Sequence, residues 1–219
     1  MYLQKQQICL VDLGEYASGK LERCSGRRIA ALSFDDAHSS QFRFLKDGTP
    51  DPNSALGLLY QVYAKPKATF FINTNNGGAP FGSDSKRKVR FLQDSGLELG
   101  NHTVSHPVLS RPSGAAVARE IDGVCAYLGK KQMLLAYPYG IMPKATHQSR
   151  CKVTAAFRAW LGYFEGKGQH SESGALLAPL PNSSDFVRRR LEYPRLNISS
   201  YADFMRDVAS NPNWVVWQP

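Results

Sequence analysis

Residues 28–37 read Arg-Ile-Ala-Ala-Leu-Ser-Phe-Asp-Asp-Ala, and residues 101–107 read Asn-His-Thr-Val-Ser-His-Pro. The first is an apolar run, Arg28 to Phe34, that ends on two adjacent carboxylates, Asp35 and Asp36. A short apolar run of this kind is the pattern of a strand buried on both faces of a parallel sheet. Leu97 to Gly100 is a second such stretch, and it ends on His102 and His106. One carboxylate and two imidazoles make a facial triad that leaves positions open on a metal. The second carboxylate is then available as a base beside it. In outline that is a hydrolase site.

Outward from these segments the chain alternates strand and helix signals. A polar loop, His38 to Asn53, leads to cap signals at Pro52-Asn53-Ser54 and a helix over Ala55 to Ala64. Lys67 to Asn73 reads as a buried strand bounded by Pro66 and by Asn75-Asn76-Gly77-Gly78. Ser85 to Ser95 predicts a basic amphipathic helix with Val89, Phe91 and Leu92 inward. Pro112-Ser113-Gly114 opens a helix to about Leu128, and Gln132 to Ala136 is a strand stopped by Tyr137-Pro138-Tyr139-Gly140. Thr146 to Gly162 reads as helical, with a strand at Tyr163-Phe164 after it. Residues 165–185 are loop-rich, the last strand falls around Arg195 to Ile198, and Tyr201 to Ser210 closes the chain as a helix. Repeated β-α units predict a parallel sheet able to close into a barrel, with chemistry at the C-terminal strand ends. Asp35-Asp36, His102-His106 and Tyr137 to Gly140 all fall at such ends.

Each constellation has a plain structural alternative. An Asp doublet serves as a turn or an N-cap, paired histidines occur on ordinary surfaces, and Tyr-Pro-Tyr-Gly is most often just a turn. On a helical face an H-x-x-x-H pair brings two imidazoles within reach of one ion, whereas Pro107 favours a short turn at His106. Thr103 and Ser105 are placed to orient the ligands. It is the order of all three constellations along one predicted rim that favours a site.

The 219 residues are enough for a large core, and one domain over 1–219 is expected, since no repeat or long linker divides the chain. A formal charge of +9 favours polyanionic partners, yet the basic residues are dispersed apart from Lys86-Arg87-Lys88 and Arg188-Arg189-Arg190. No nucleic-acid motif accompanies the charge, and no nucleic-acid partner is expected. No run of 18 apolar residues exists, so no membrane-spanning segment is expected. Met1 to Gln7 has no apolar core or small-residue cleavage site, so no signal peptide is expected there. The four cysteines form no C-x-x-C pair, which argues against a structural zinc site. Cys9 and Cys24 flank a hairpin-like segment, Leu10 to Arg23, and a bridge would close it, whereas Cys125 and Cys151 read equally well as buried free thiols.

At these residues the chain resembles the polysaccharide deacetylases of the NodB homology domain, carbohydrate esterase family 4. Ser33-Phe34-Asp35-Asp36-Ala37 is similar to the first family motif, Thr/Ser-Phe-Asp-Asp-Gly. His102-Thr103-Val104-Ser105-His106-Pro107 matches the second, His-Ser/Thr-x-x-His-Pro, in full. Ala136-Tyr137-Pro138-Tyr139-Gly140 resembles the third, Arg-x-Pro-Tyr-Gly. The resemblance covers roughly residues 27–210. It implies a distorted (β/α)7 barrel with Asp36, His102 and His106 as ligands to a divalent metal, zinc first and Co2+, Ni2+ or Mn2+ as alternatives. It also implies Asp35 as the base that deprotonates water and the backbone N–H of Tyr139 as an oxyanion donor.

Three departures stand out. Ala37 replaces the Gly after the doublet, a change taken to ask only for an ordinary backbone angle. Ala136 replaces the Arg that tunes the catalytic Asp. No histidine follows His170, so the family's C-terminal Leu-x-His acid is missing; His170, His147, His38 and a water on the metal are the substitutes to weigh. The expected activity is N-deacetylation of an amino-sugar polymer, anionic in one version, by a monomer acting outside the cytoplasm. Two other readings remain open: a catalytically impaired carbohydrate-binding domain, and a deacylase of a non-glycan amide.

Overall fold

The computed structural model describes residues 7–144 and 148–159, together with the strand segments 175–176 and 192–195. Its first strand, β1 (Cys9–Val11), leads directly into helix α1 (Leu13–Ser18) and a 3₁₀ turn at Glu22–Cys24. A hairpin was expected here, but β1 pairs in parallel with β2 (Ile29–Phe34). The cause is local. Asp12 accepts the backbone N–H of Glu15 while Glu15 reaches back to Asp12, a capping box that starts a helix, and Gly19 at φ 70° ends it. Gly19 is thus a helix stop, not part of a hairpin turn. Cys9 and Cys24 are joined by a disulfide across this segment.

The central run follows the predicted order. Helix α2 (Ala55–Val62) begins at Ser54, whose hydroxyl accepts Gly57 N–H at 3.2 Å. After β3 (Thr69–Ile72), helix α3 (Ser85–Asp94) turns Val89 and Leu92 inward, with Lys88 buried beside them. Strand β4 (Glu98–Asn101) precedes helix α4 (Gly114–Leu128), capped by Ser113, and β5 (Gln132–Ala136) follows.

Past β5 the expected helix is replaced. Lys152–Ala159 forms β6, in parallel register with β5 from Gln132↔Lys152 to Ala136↔Phe157. Its alanines suggest helix by propensity alone, but β-branched Val153 and Thr154 precede Ala155 and Ala156, which are buried. An available strand edge outweighs a preference of a few tenths of a kcal/mol. Strand β7 (Ala175–Leu176) pairs antiparallel with β2, and β8 (Glu192–Arg195) pairs in parallel with β6. Of the strand expected around Arg195 to Ile198, Arg195 ends β8, and residues 196–198 lie outside the described residues. The closing helix at 201–210, the strand at 163–164 and most of the 165–185 loop lie outside the described residues.

The sheet order is β1-β2-β3-β4-β5-β6-β8, with β7 against β2. These seven strands are parallel and alternate with helices over the central run, as expected of a (β/α)7 fold; among the described residues the sheet is an open path. Residues of opposite parity build two cores. Leu32, Phe70, Ile72, Leu99 and Leu135 pack under α2, α3 and α4, while Ala31, Phe71, Leu134 and Ala136 face the side that holds α1. Cys125 and Cys151 are not free thiols: they form a disulfide between α4 and the start of β6. No helix among the described residues is long and apolar enough to cross a membrane.

Candidate active site

The rim formed by the C-terminal ends of β2, β4 and β5 gathers the residues singled out in the sequence. Asp36 Oδ1 lies 3.5 Å from His102 Nε2 and 3.3 Å from His106 Nε2. Asp35 Oδ2 stands 3.8 Å from His102 Nε2. One ligand atom from each of Asp36, His102 and His106 lies within 4.8 Å of the others.

His102 is buried, and its Nδ1 is 2.8 Å from the carbonyl oxygen of Ala136. A carbonyl only accepts, so Nδ1 carries the proton and Nε2 turns its lone pair toward Asp36. Burial holds the imidazole below its usual range, against the upward pull of Asp35 and Asp36. A neutral ring facing a carboxylate with its lone pair fits a cation between the two, and two imidazole nitrogens with one carboxylate oxygen suit zinc and its neighbours. The residues therefore fit a divalent metal.

The two histidines do not share a helical face. Residues 102–107 form a compact turn in which Thr103 (φ 69°) and His106 (φ 55°) take left-handed conformations. Thr103 is buried, and its hydroxyl accepts the N–H of His106 at 3.2 Å, as its expected orienting part requires. Ser105 instead turns to α4, where its N–H and hydroxyl donate to Glu120 at 2.8 and 2.7 Å. Asn73, just after β3, donates to the carbonyls of His102 and Thr103. Asn101 accepts Thr103 N–H at 2.8 Å and donates to Ile121 O at 2.8 Å. Sequence reading missed these supports; the signal was there for Asn73 and Asn101, polar residues that end apolar strands at the same rim.

Asp36 (φ 74°) and Ala37 (φ 51°) are both left-handed, so the Ala-for-Gly change does not ask for an ordinary backbone angle. An L side chain there costs about 1–2 kcal/mol that glycine would avoid. The turn is held by Phe81 N–H on the Ala37 carbonyl at 2.6 Å and by the Gln41 amide on the Asp35 carbonyl. Ala136 is fully buried, and the bond to His102 uses its backbone, so losing the family's Arg leaves that anchor intact. Tyr139 (φ 56°) sits in a 3₁₀ turn, Pro138–Gly140, with its half-exposed ring 4.5 Å from that of His106. His38 Nε2 is 3.9 Å from Asp36 Oδ2, whereas His147 and His170 lie outside the described residues.

A chitin deacetylase from Arthroderma benhamiae is 28% identical over 126 residues, a match covering 54% of this chain and 30% of that protein. The Streptococcus pyogenes deacetylase PplD, solved in complex with acetate, is 15% identical and covers 93% of this chain and 81% of its own. Its TM-score of 0.60 shows a shared fold. The chitin deacetylase of Colletotrichum lindemuthianum is 25% identical over 50% of this chain and 45% of its own, with a TM-score of 0.36. The family model described as polysaccharide deacetylase matches residues 22–156, from before the first motif strand into β6. The chain belongs to the polysaccharide deacetylase family.

Proposed function

We propose that this chain is a metal-dependent hydrolase that removes N-acetyl groups from an amino-sugar polymer of the chitin, peptidoglycan or exopolysaccharide type. The observation that carries the reading is the convergence of Asp36 Oδ1 with His102 Nε2 and His106 Nε2 at 3.5 and 3.3 Å, with Asp35 alongside. Asp36, His102 and His106 would hold the ion, zinc being the first choice for this donor set. When bound, a divalent ion supplies Lewis acidity toward the acetyl carbonyl and toward water.

The remaining steps belong to the protein. Asp35 takes a proton from the attacking water as its oxygen bonds to the acetyl carbon. The Tyr139 N–H donates to the oxygen that becomes negative. The carbon–nitrogen bond breaks as the amine receives a proton, which Asp35 returns, giving acetate and a free amino sugar. Two disulfides involving all four cysteines support an oxidising compartment outside the cytoplasm.

The test is acetate release from acetylated chito-oligomers and peptidoglycan fragments. Asp35→Asn should retain zinc and lose turnover, and Asp36→Ala should lose both. The buried Ala136 in the Arg position favours a second reading, a glycan-binding domain with impaired catalysis. Glycan binding that survives both substitutions, with no acetate under any divalent metal, would establish that reading and end the first.

A further inference from the structure

We propose that Glu120, halfway along α4, is the positioning residue of the metal-binding turn; the inference rests on reading Asp36, His102 and His106 as ligands. Two non-glycine residues of that turn, Thr103 and His106, have positive φ. Such conformations cost about 1–2 kcal/mol each and persist only where surrounding bonds over-determine them. The ends of the turn have their own anchors: His102 on the Ala136 carbonyl and His106 N–H on the Thr103 hydroxyl. Its middle is held from two sides: Asn75 N–H donates to the Val104 carbonyl at 2.8 Å, and Glu120 supplies the remaining bonds to Val104 and Ser105. Val104 N–H donates to the Glu120 carbonyl at 3.1 Å. Ser105 N–H and Oγ–H donate to the two carboxylate oxygens of Glu120 at 2.8 and 2.7 Å.

Helix α4 is shaped to make this grip. A Cβ on Gly123 would stand 2.4 Å from Val104 Cγ2, so the helix approaches the turn more closely than a larger residue allows. The same helix is tied to its surroundings on either side. Ile121 O accepts the Asn101 amide at 2.8 Å, Asp122 Oδ1 accepts Cys151 N–H at 2.9 Å, and Cys125 is bridged to Cys151. The Glu120 carboxylate therefore transmits a fixed helix position to Ser105, the residue immediately before His106. No reacting atom is touched; the effect of Glu120 is on where His106 Nε2 points.

The experiment measures zinc affinity by competition with a chromogenic chelator, and the Co2+ absorption spectrum, in wild type, Glu120→Ala, Glu120→Gln, Ser105→Ala and the Ser105→Ala/Glu120→Ala double variant. Loss of a direct partner of a ligand typically costs 10–100-fold in metal affinity; Glu120 acts one residue removed, through Ser105, so a loss of roughly 10-fold, the low end of that range, is expected for Glu120→Ala, with an altered Co2+ spectrum. In Glu120→Gln the amide oxygen can still accept one of the two bonds, so this variant should recover part of the loss. Ser105→Ala should be milder, and the double variant no worse than Glu120→Ala, because the two side chains share one contact. A folded Glu120→Ala with lowered Tm but unchanged zinc affinity and Co2+ spectrum would overturn the proposal, leaving Glu120 a purely structural group. If Glu120→Ala does not fold, Glu120→Gln and Ser105→Ala give the same reading. Wild type that binds no zinc refutes the ligand reading and this proposal together; wild type that binds it equally with every variant refutes this proposal alone.

Discussion

Glu98→Gln should remove a pH dependence of stability that originates at the opposite end of β4 from the histidines. The Glu98 carboxyl is wedged under the start of α1: Oε2 accepts Gly14 N–H at 3.0 Å and the Thr69 hydroxyl at 2.5 Å. Thr69 Oγ1 in turn accepts Leu13 N–H at 2.9 Å. Lys67 does not neutralise this carboxyl, because its ammonium is engaged by Asp12 at 3.0 Å and Glu15 at 3.6 Å. Burial is the main cause that pushes Glu98 from 4.5 to about 7; Asp12 adds to it, while the bonds from Thr69 and Gly14 and the charge of Lys130 oppose it. A raised carboxyl means that the folded protein binds the proton more tightly than the unfolded chain. The stability that goes with it is complete below pH 4.5 and is lost as pH rises toward about 7. At about 1.36 kcal/mol per pH unit, that interval is worth about 3 kcal/mol, of which roughly 2–3 kcal/mol falls between about pH 5 and pH 8. His102, held down by burial, pulls the other way in the metal-free protein, so wild-type stability alone does not isolate the effect. Urea unfolding of wild type and Glu98→Gln at both pH values does: the variant should gain roughly 2–3 kcal/mol relative to wild type on going to pH 8. An unchanged difference between the two proteins would refute the reasoning.

Gly100→Ala should destabilise by roughly 1–3 kcal/mol, since a Cβ there would stand 2.3 Å from the fully buried Phe71 ring; a neutral urea midpoint would contradict this. Replacing Cys125 and Cys151 by Ser opens a bridge spanning 26 residues and should cost about 3–4 kcal/mol in chemical denaturation, while the native protein should show no titratable thiol. Lys88→Met should cost about 1–3 kcal/mol, because the buried ammonium donates to the Phe81 carbonyl at 2.7 Å; unchanged stability would show that this carbonyl has another partner.

Much of the candidate site could be read in advance because its proposed ligands sit at the ends of strands with strong local signals. Asp35 and Asp36 terminate an apolar run, His102 and His106 follow another, and Ser54 and Ser113 cap their helices through bonds spanning three residues. The two errors in element type, a hairpin for β1-α1 and a helix for β6, arose for different reasons. At β1 the hairpin reading overlooked Asp12 and Glu15 as a capping pair, which was itself local. At β6 the local signals are mixed, alanines against β-branched Val153 and Thr154, and the free edge of β5 decides between them.

By itself the sequence determined the alternation of strand and helix, the order of the rim residues and the donor types that meet there, because these follow from period, caps and side-chain chemistry. Only the tertiary structure decided the left-handed backbone at Asp36, Ala37, Thr103 and His106 and the proton position on His102. It alone brought Glu120 to Ser105. Each of these depends on a partner distant in the chain: Phe81 for Ala37, the Ala136 carbonyl for His102, and α4 for the turn at 102–107. The bonds that hold a strained turn are made across the sheet rim, so they exist only once the chain has folded.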